Sequence, residues 1–253
     1  MLPGLRIIKR VLLVAVFSGL IIGLFIVYKN LTPQPTPTPT PDPRASLKPL
    51  HIVSVDVFKV KDGDYDILAR IQNPNQEFGS GNVQYVLNAE GLQVHTGSFY
   101  ILPGETKYIV ISPVSSVREL HRASMTIVSI DWQELDALAL QGVNFVVTNT
   151  VFSKKPELNI SARMRGFVAN NSNFDVNRVD VAVILFDADE HPIAVNRTEL
   201  HTFLAHTTRG FEASWSSPFS GDIARTYVEA HANLFEQSSF MRTYGGQELF
   251  QSF

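Results

Sequence analysis

The chain of 253 residues contains no cysteine. That excludes disulfides, a thiolate metal site and a lipid-modified cysteine anchor. Secreted eukaryotic domains often depend on disulfides, so the absence leans towards a bacterial envelope protein. A basic excess is also missing. Lys and Arg number 21 against 24 Asp and Glu, for a net charge of −3, which argues against nucleic acid as a ligand. There is no phosphate-binding loop, no dinucleotide fingerprint and no Gly-x-Ser-x-Gly elbow around Ser172, Ser214 or Ser216. The expectation is a protein that is not an enzyme and that holds no cofactor and no metal.

Long apolar runs are scarce too, with one exception. Residues 11–28 carry no charge, and thirteen of them are Val, Leu, Ile or Phe. At about 1.5 Å per residue such a helix spans roughly 27 Å, close to the thickness of a hydrocarbon core. Arg6, Lys9 and Arg10 precede the run and only Lys29 follows it closely. Positive residues stay cytoplasmic, so the N-terminus is expected inside and the remainder outside. A cleaved signal peptide is the alternative, but the core is longer than such peptides carry and no Ala-x-Ala site follows it. The reading is an uncleaved signal anchor held in the lipid bilayer through residues 11–28.

Proline then alternates at 33, 35, 37, 39, 41 and 43. Such a run cannot supply hydrogen bonds to a helix or sheet and favours the extended polyproline conformation. Residues 29–48 read as a stalk, with a proline-reading partner domain as the lesser possibility. The formal glycosylation sequons at Asn159, Asn170 and Asn196 carry no weight in a bacterial protein.

From residue 50 the pattern turns to short strands. His51–Val60 alternates, with Val53, Val55 and Val57 expected on one face; 61–64 is a turn, 65–71 a strand, 77–82 a loop, and 83–87 another strand. Strands at 92–94, 107–111 and 124–130 complete the unit. The chain then repeats itself at a spacing of about 95–100 residues. Phe152 answers Phe58, 158–168 answers 65–71, and Asn170-Asn-Ser172 answers Asn73-Pro-Asn75. Val179–Asp187 answers 83–88, 203–208 answers 101–106, and 225–230 is the final strand. The expected fold class is all-β: two tandem antiparallel β-sandwiches of the immunoglobulin/fibronectin-III type after a single transmembrane helix. The boundaries are 49–135 and 143–236, with a connector at 136–142 and a C-terminal tail at 237–253. Trp132 reads as a core or interface plug. Asn73 and Asn170 read as structural, each hydrogen-bonding a loop.

These residues carry a family resemblance. The first copy, with Asn73-Pro-Asn75, Tyr85-Val-Leu87 and Leu102-Pro-Gly-Glu-Thr106, resembles the late-embryogenesis-abundant water-stress (WHy) domain. The second, with Gly166-Phe-Val-Ala-Asn170, Val183-Ile-Leu-Phe-Asp187 and Phe211, resembles the bacterial FxLYD domain. Three departures stand out: Phe186 replaces the usual Tyr, Glu190 a turn Gly, and Ala205-His206 a Pro-Gly. The resemblance implies a binding, scaffolding or stress-protective role on the cell envelope, with no catalytic residues.

Candidate chemistry is thin. Asp187, Asp189, Glu190 and His191 could offer ligands to Ca²⁺ or Mg²⁺, but a hairpin turn uses the same residues for its own backbone. His201 and His206 lie near one strand end without a third ligand. The tail sets Phe240, Met241, Tyr244, Leu249, Phe250 and Phe253 among polar residues. It reads as a docked terminal strand or helix, or as a partner-binding peptide. The functional expectation is a membrane-anchored, extracytoplasmic, non-catalytic binding or assembly protein with an envelope protein as partner. A water-stress-type protector and an enzyme with its site at the domain junction are the alternatives.

Overall fold

A computed structural model describes residues 3–31, 43–154, 160–236 and 240–243. The chain forms two compact units, Met1–Ser46 and Leu47–Phe253. In the first, a helix, α1 (Pro3–Leu31), begins on the proline, where a missing N–H costs nothing. Its Val11–Lys29 stretch is long and apolar enough to cross a membrane, and it has no buried side chains. A short 3-10 turn occupies Pro43–Ser46. The Pro/Thr run at 32–42 lies outside the described residues.

The second unit is mostly antiparallel β-sheet. Its first half contains β1 (His51–Lys61), β2 (Asp64–Gln72), β3 (Phe78–Ala89), β4 (Leu92–Ile101), β5 (Thr106–Ser115), β6 (Ala123–Ile130) and the two-residue β7 (Gln133–Glu134). A one-and-a-half-turn helix, α2 (Ala137–Gly142), follows. The second half contains β8 (Phe145–Ser153), β9 (Ala162–Asn170), β10 (Phe174–Phe186), β11 (Pro192–Phe203), β12 (Thr208–Trp215), β13 (Arg225–His231) and β14 (Phe240–Thr243). Sheet orders in the first half are β1-β2-β5 and β4-β3-β6, with β7 added to β3. In the second they are β12-β9-β8 and β11-β10-β13, with β14 added to β10.

Alternation sorts the side chains between faces. In the first half Tyr65, Ile67 and Ile71 of β2 share a core with Val83 and Leu87 of β3 and Ile101 of β4. In the second half Met164 and Val168 of β9 meet Val179, Val181 and Val183 of β10, with Phe203 and Phe211. A third cluster joins the halves. Leu68 and Val110, on the far faces of β2 and β5, pack against Ile184, Phe186 and Val195 of β10 and β11. Phe58, Tyr108, Ala182 and Tyr227 surround it. Two sheets thus meet back to back within the compact unit Leu47–Phe253.

Two expectations are corrected. Val53 does not share a face with Val55 and Val57. A register shift between Ile52 and Ser54 moves the pairing by one residue, so Ile52, Val55 and Val57 pack on the core while Val53 is exposed. Residues 78–82 are not a loop but the start of β3, paired with β7 at Phe78 and Gly79. The glycines there serve close approach. A Cβ on Gly79 would lie 2.5 Å from the Ile101 carbonyl oxygen and 2.7 Å from the Phe235 ring, and one on Gly81 2.8 Å from Phe235.

The linking segment serves both halves. β7 extends the first, Trp132 packs on the first core, and Leu135, Leu140 and Val143 pack on the second.

The repeat is visible atom by atom. The Asn73 amide donates to the carbonyls of Phe78 (2.7 Å) and Leu102 (2.9 Å), and its oxygen accepts from the Asn75 N–H (3.0 Å). The Asn170 amide donates to the carbonyls of Phe174 (2.9 Å) and Leu204 (3.2 Å), and its oxygen accepts from the Ser172 N–H (3.1 Å). Both asparagines are buried, and each satisfies main-chain carbonyls that strand pairing leaves over.

The turn after Leu102 also repeats, with a cost in the second copy. Gly104 has φ of 66°, and its counterpart His206 has φ of 56°. A side chain in this left-handed region costs about 1–2 kcal/mol, and glycine's greater freedom in the unfolded chain offsets part of that. The exposed contact from His206 Nε2 to Asn173 Oδ1 (3.0 Å) adds little. His206→Gly is expected to stabilise by about 0.5–1 kcal/mol, read as a rise in denaturation midpoint at unchanged m-value. An unchanged or lower midpoint would show that the imidazole earns its place in the turn.

Candidate functional site

The interface between the halves has three zones along the strands. Its middle is the apolar cluster around Leu68 and Ile184. One end is a buried polar cluster and the other is an open cleft.

The polar end is built by β4, β5, β10 and β13. Lys107 sits in the register of Ile109 and Ile111, so strand alternation turns it inward. It is 6% exposed, and its ammonium lies 3.1 Å from the centroid of the Tyr100 ring with no hydrogen-bond partner among the described residues. Burial pushes the Lys107 ammonium's pKa down, against the pull of Glu105, Asp180 and Glu229 and with a contribution from Arg178. Burial likewise pushes the Tyr100 phenol well up, helped by Asp180 and Glu105. Glu229 is the keystone across the halves. It accepts from the Tyr108 main-chain N–H at 3.0 Å and from the Tyr227 hydroxyl at 3.1 Å. His231 stands between Glu105 (3.1 Å) and Glu229 (3.7 Å).

Tyr227 gives this zone an alkaline limit. Burial first, then the Glu229 carboxylate, push its phenol up to about 12 from 10.0. A raised folded-state pKa means that the unfolded chain loses the proton first, so this contribution is full below pH 10 and is lost as pH rises towards 12. Tyr227→Phe is expected to flatten the fall in stability across that range, measured by urea unfolding at successive pH values. An unchanged slope would place the alkaline sensitivity elsewhere, with Tyr100 the first suspect.

The cleft at the other end encloses about 750 Å³. Residues 57–61, 64–66 and 112–113 line one side, and 193–196 and 214–220 the other. Asp66 and Ser112 sit two residues beyond Leu68 and Val110, so the apolar interface runs straight into the cleft. The Ser112 hydroxyl donates to Asp66 Oδ1. Burial pushes the Asp66 carboxyl up, opposed by that hydrogen bond and reinforced by the charge of Asp64. The nearby lysines are engaged: Lys59 pairs with Asp62 (3.0 Å) and Glu119 (3.2 Å), and Lys61 with Asp64 (3.1 Å). On the opposite wall the Trp215 indole N–H donates to the Val195 carbonyl (2.8 Å), and the Asn196 amide to the Ser214 carbonyl (2.8 Å).

The groups singled out in the sequence fall elsewhere, apart from Ser214 and Ser216, which line the cleft. Asp187, Asp189 and His191 bring ligand atoms within 4.8 Å of one another. Yet Asp187 Oδ1 already accepts from the main-chain N–H groups of Asp189 (3.0 Å) and His191 (2.8 Å), as a hairpin turn requires. His201 pairs with Glu199 at 3.3 Å and His206 contacts Asn173, so the two are not brought together. Ser172 is buried against Asn170. In the tail, Phe240 and Met241 lie in β14, which pairs with Phe174, Asp175 and Val176 of β10. Tyr244, Leu249, Phe250 and Phe253 lie outside the described residues.

The sequence reading missed both ends of the interface. One signal was available: Lys107 alternates with Ile109 and Ile111, which marks a cation on a core face. Asp66 and Ser112 gave none, because they become a site only when the second half packs across them. Comparisons with family models, with curated proteins and with solved structures found no match for this chain.

Proposed function

We propose that this protein is a membrane-anchored, non-catalytic binding or assembly component of the bacterial cell envelope. Residues 11–28 hold it in the bilayer, the N-terminus is cytoplasmic, and a Pro/Thr stalk carries two tandem immunoglobulin-like sandwiches on the extracytoplasmic side. The carrying observation is the junction cleft. Two halves packed back to back share an apolar cluster, and a cleft of about 750 Å³ lies between them. Shared concave surfaces of this size are where proteins receive ligands. The short resemblance to the WHy and FxLYD domains points the same way, since neither brings catalytic residues. The aromatic tail, including Phe240, Met241, Tyr244, Leu249, Phe250 and Phe253, is a second contact surface in this reading.

The test is cross-linking in intact cells followed by isolation of the full-length protein. A parallel variant ends after Thr243, so that β14 is kept. One dominant envelope partner in stoichiometric amount supports the assembly reading, and its loss with the truncation assigns the contact to the tail. A diffuse set of unrelated clients moves the weight to a stress-protective role, and no partner at all removes the reading.

A further inference from the structure

β1 borders the cleft along its C-terminal end. Five successive residues, 57–61, line it. Residues of both pleat faces therefore contribute atoms to the lining, as when a strand is approached along its edge. Among the described residues β1 pairs with β2 alone, so its other edge has no strand partner there. The neighbouring edges along the same interface are occupied. Glu229 takes the Tyr108 N–H on the outer side of β5, and Trp215 takes the Val195 carbonyl on β11. Natural sheets block long open edges or use them for strand addition.

The cleft also has an unbalanced charge. Lys59 and Lys61 are neutralised by their own carboxylate partners. Among the described residues Asp66 has only the Ser112 hydroxyl on one oxygen, with Asp64 beside it. Burial and the like charge both penalise its ionised form, which an incoming cation would relieve. Facing it, residues 214–220 are largely serine, and Ser214, Ser216 and Ser220 are exposed. Small side chains on that wall leave room for a strand's breadth.

We propose that the cleft receives an extended peptide segment of a partner protein, which adds to the open edge of β1 and places a Lys or Arg side chain on Asp66. This rests on the binding reading above and names its site and the partner's chemistry. Backbone pairing supplies sequence-tolerant affinity, and the cation sets the register.

The experiment uses full-length protein in lipid nanodiscs, panned against a phage-displayed random dodecapeptide library. Selected peptides are expected to carry one Lys or Arg among β-branched residues. Replacing that residue by Ala, or Asp66 by Asn in the protein, should weaken binding at least about tenfold, the range of a buried charge-assisted contact. Ser216→Trp, exposed and outside both cores, should abolish binding by filling the cleft without moving the melting temperature. Peptides without a basic residue, or affinities indifferent to both substitutions, overturn the proposal. So does saturable binding of a neutral oligosaccharide such as chitohexaose that Ser216→Trp blocks, since that makes the cleft a glycan site. The broader reading is scored separately. A cellular partner retained in full by both variants leaves the protein a binding component and removes only the cleft from that role.

Discussion

Leu68→Asp is expected to divide one unfolding transition into two. Leu68 is 1% exposed but faces away from the core of its own half. It lies against Ile184, Phe186 and Val195, which belong to the other half. Losing a buried leucine costs about 2–5 kcal/mol, and a carboxylate placed in the same apolar space adds a desolvation penalty. The halves can escape that penalty by parting, because each keeps its own core. Calorimetry of the wild-type protein should show a single endotherm. The variant should show two, with the total loss in coupling of about 4 kcal/mol or more. Ile67→Asp is the control: Ile67 is fully buried within the first core, and its replacement should unfold that half outright and leave the second. A single endotherm shifted by only a few tenths of a kcal/mol in Leu68→Asp would mean that the apolar cluster does not couple the halves.

The same residues show what could be read in advance. Period-two alternation located most of the strands, and the spacing of Asn73-Pro-Asn75 from Asn170-Asn-Ser172 announced a repeat whose hydrogen bonds do match. The failures have specific physical causes. Val53 was misplaced because a bulge changes parity without any proline or glycine to mark it. The start of β3 was read as loop because Gly79 and Gly81 look like turn residues, whereas here they admit Phe235 from the far end of the chain. The back-to-back packing did leave a trace. Val183-Ile-Leu-Phe186 is a continuous apolar run rather than an alternating one, and strands read that way when both faces are covered. Ile67-Leu-Ala69 is a shorter case. In the second half Glu190, in a left-handed conformation, pairs with Arg225, and the Arg225 guanidinium lies 4.2 Å from the Phe186 ring centroid. The cleft was not legible, because its two walls lie 80 residues or more apart in the chain and neither carries a motif.

Glu229→Ala is expected to cost about 3–5 kcal/mol, the range for removing one partner of a buried charge network. Three losses coincide. The Tyr108 N–H and the Tyr227 hydroxyl lose their acceptor, and Lys107 has one fewer carboxylate nearby. Lys107→Met should behave in the opposite way, neutral or stabilising by about 1–4 kcal/mol, because an apolar chain of similar length replaces a cation without a hydrogen bond. The double variant separates the contributions. If the Lys107 charge carries much of the Glu229 penalty, Glu229→Ala will cost less in the Lys107→Met background than alone. The pH dependence gives an independent check. The folded-state pKa of Lys107 lies below its ordinary 10.5, so between the two values the unfolded chain binds more protons than the folded one. Stability therefore gains from Lys107 as pH rises towards 10.5, and Lys107→Met should remove that gain below pH 10.5. Equal costs of Glu229→Ala in both backgrounds, with no change in pH slope, would show that Lys107 and Glu229 are neighbours without being partners, and that the Tyr108 and Tyr227 hydrogen bonds alone hold this end of the interface shut.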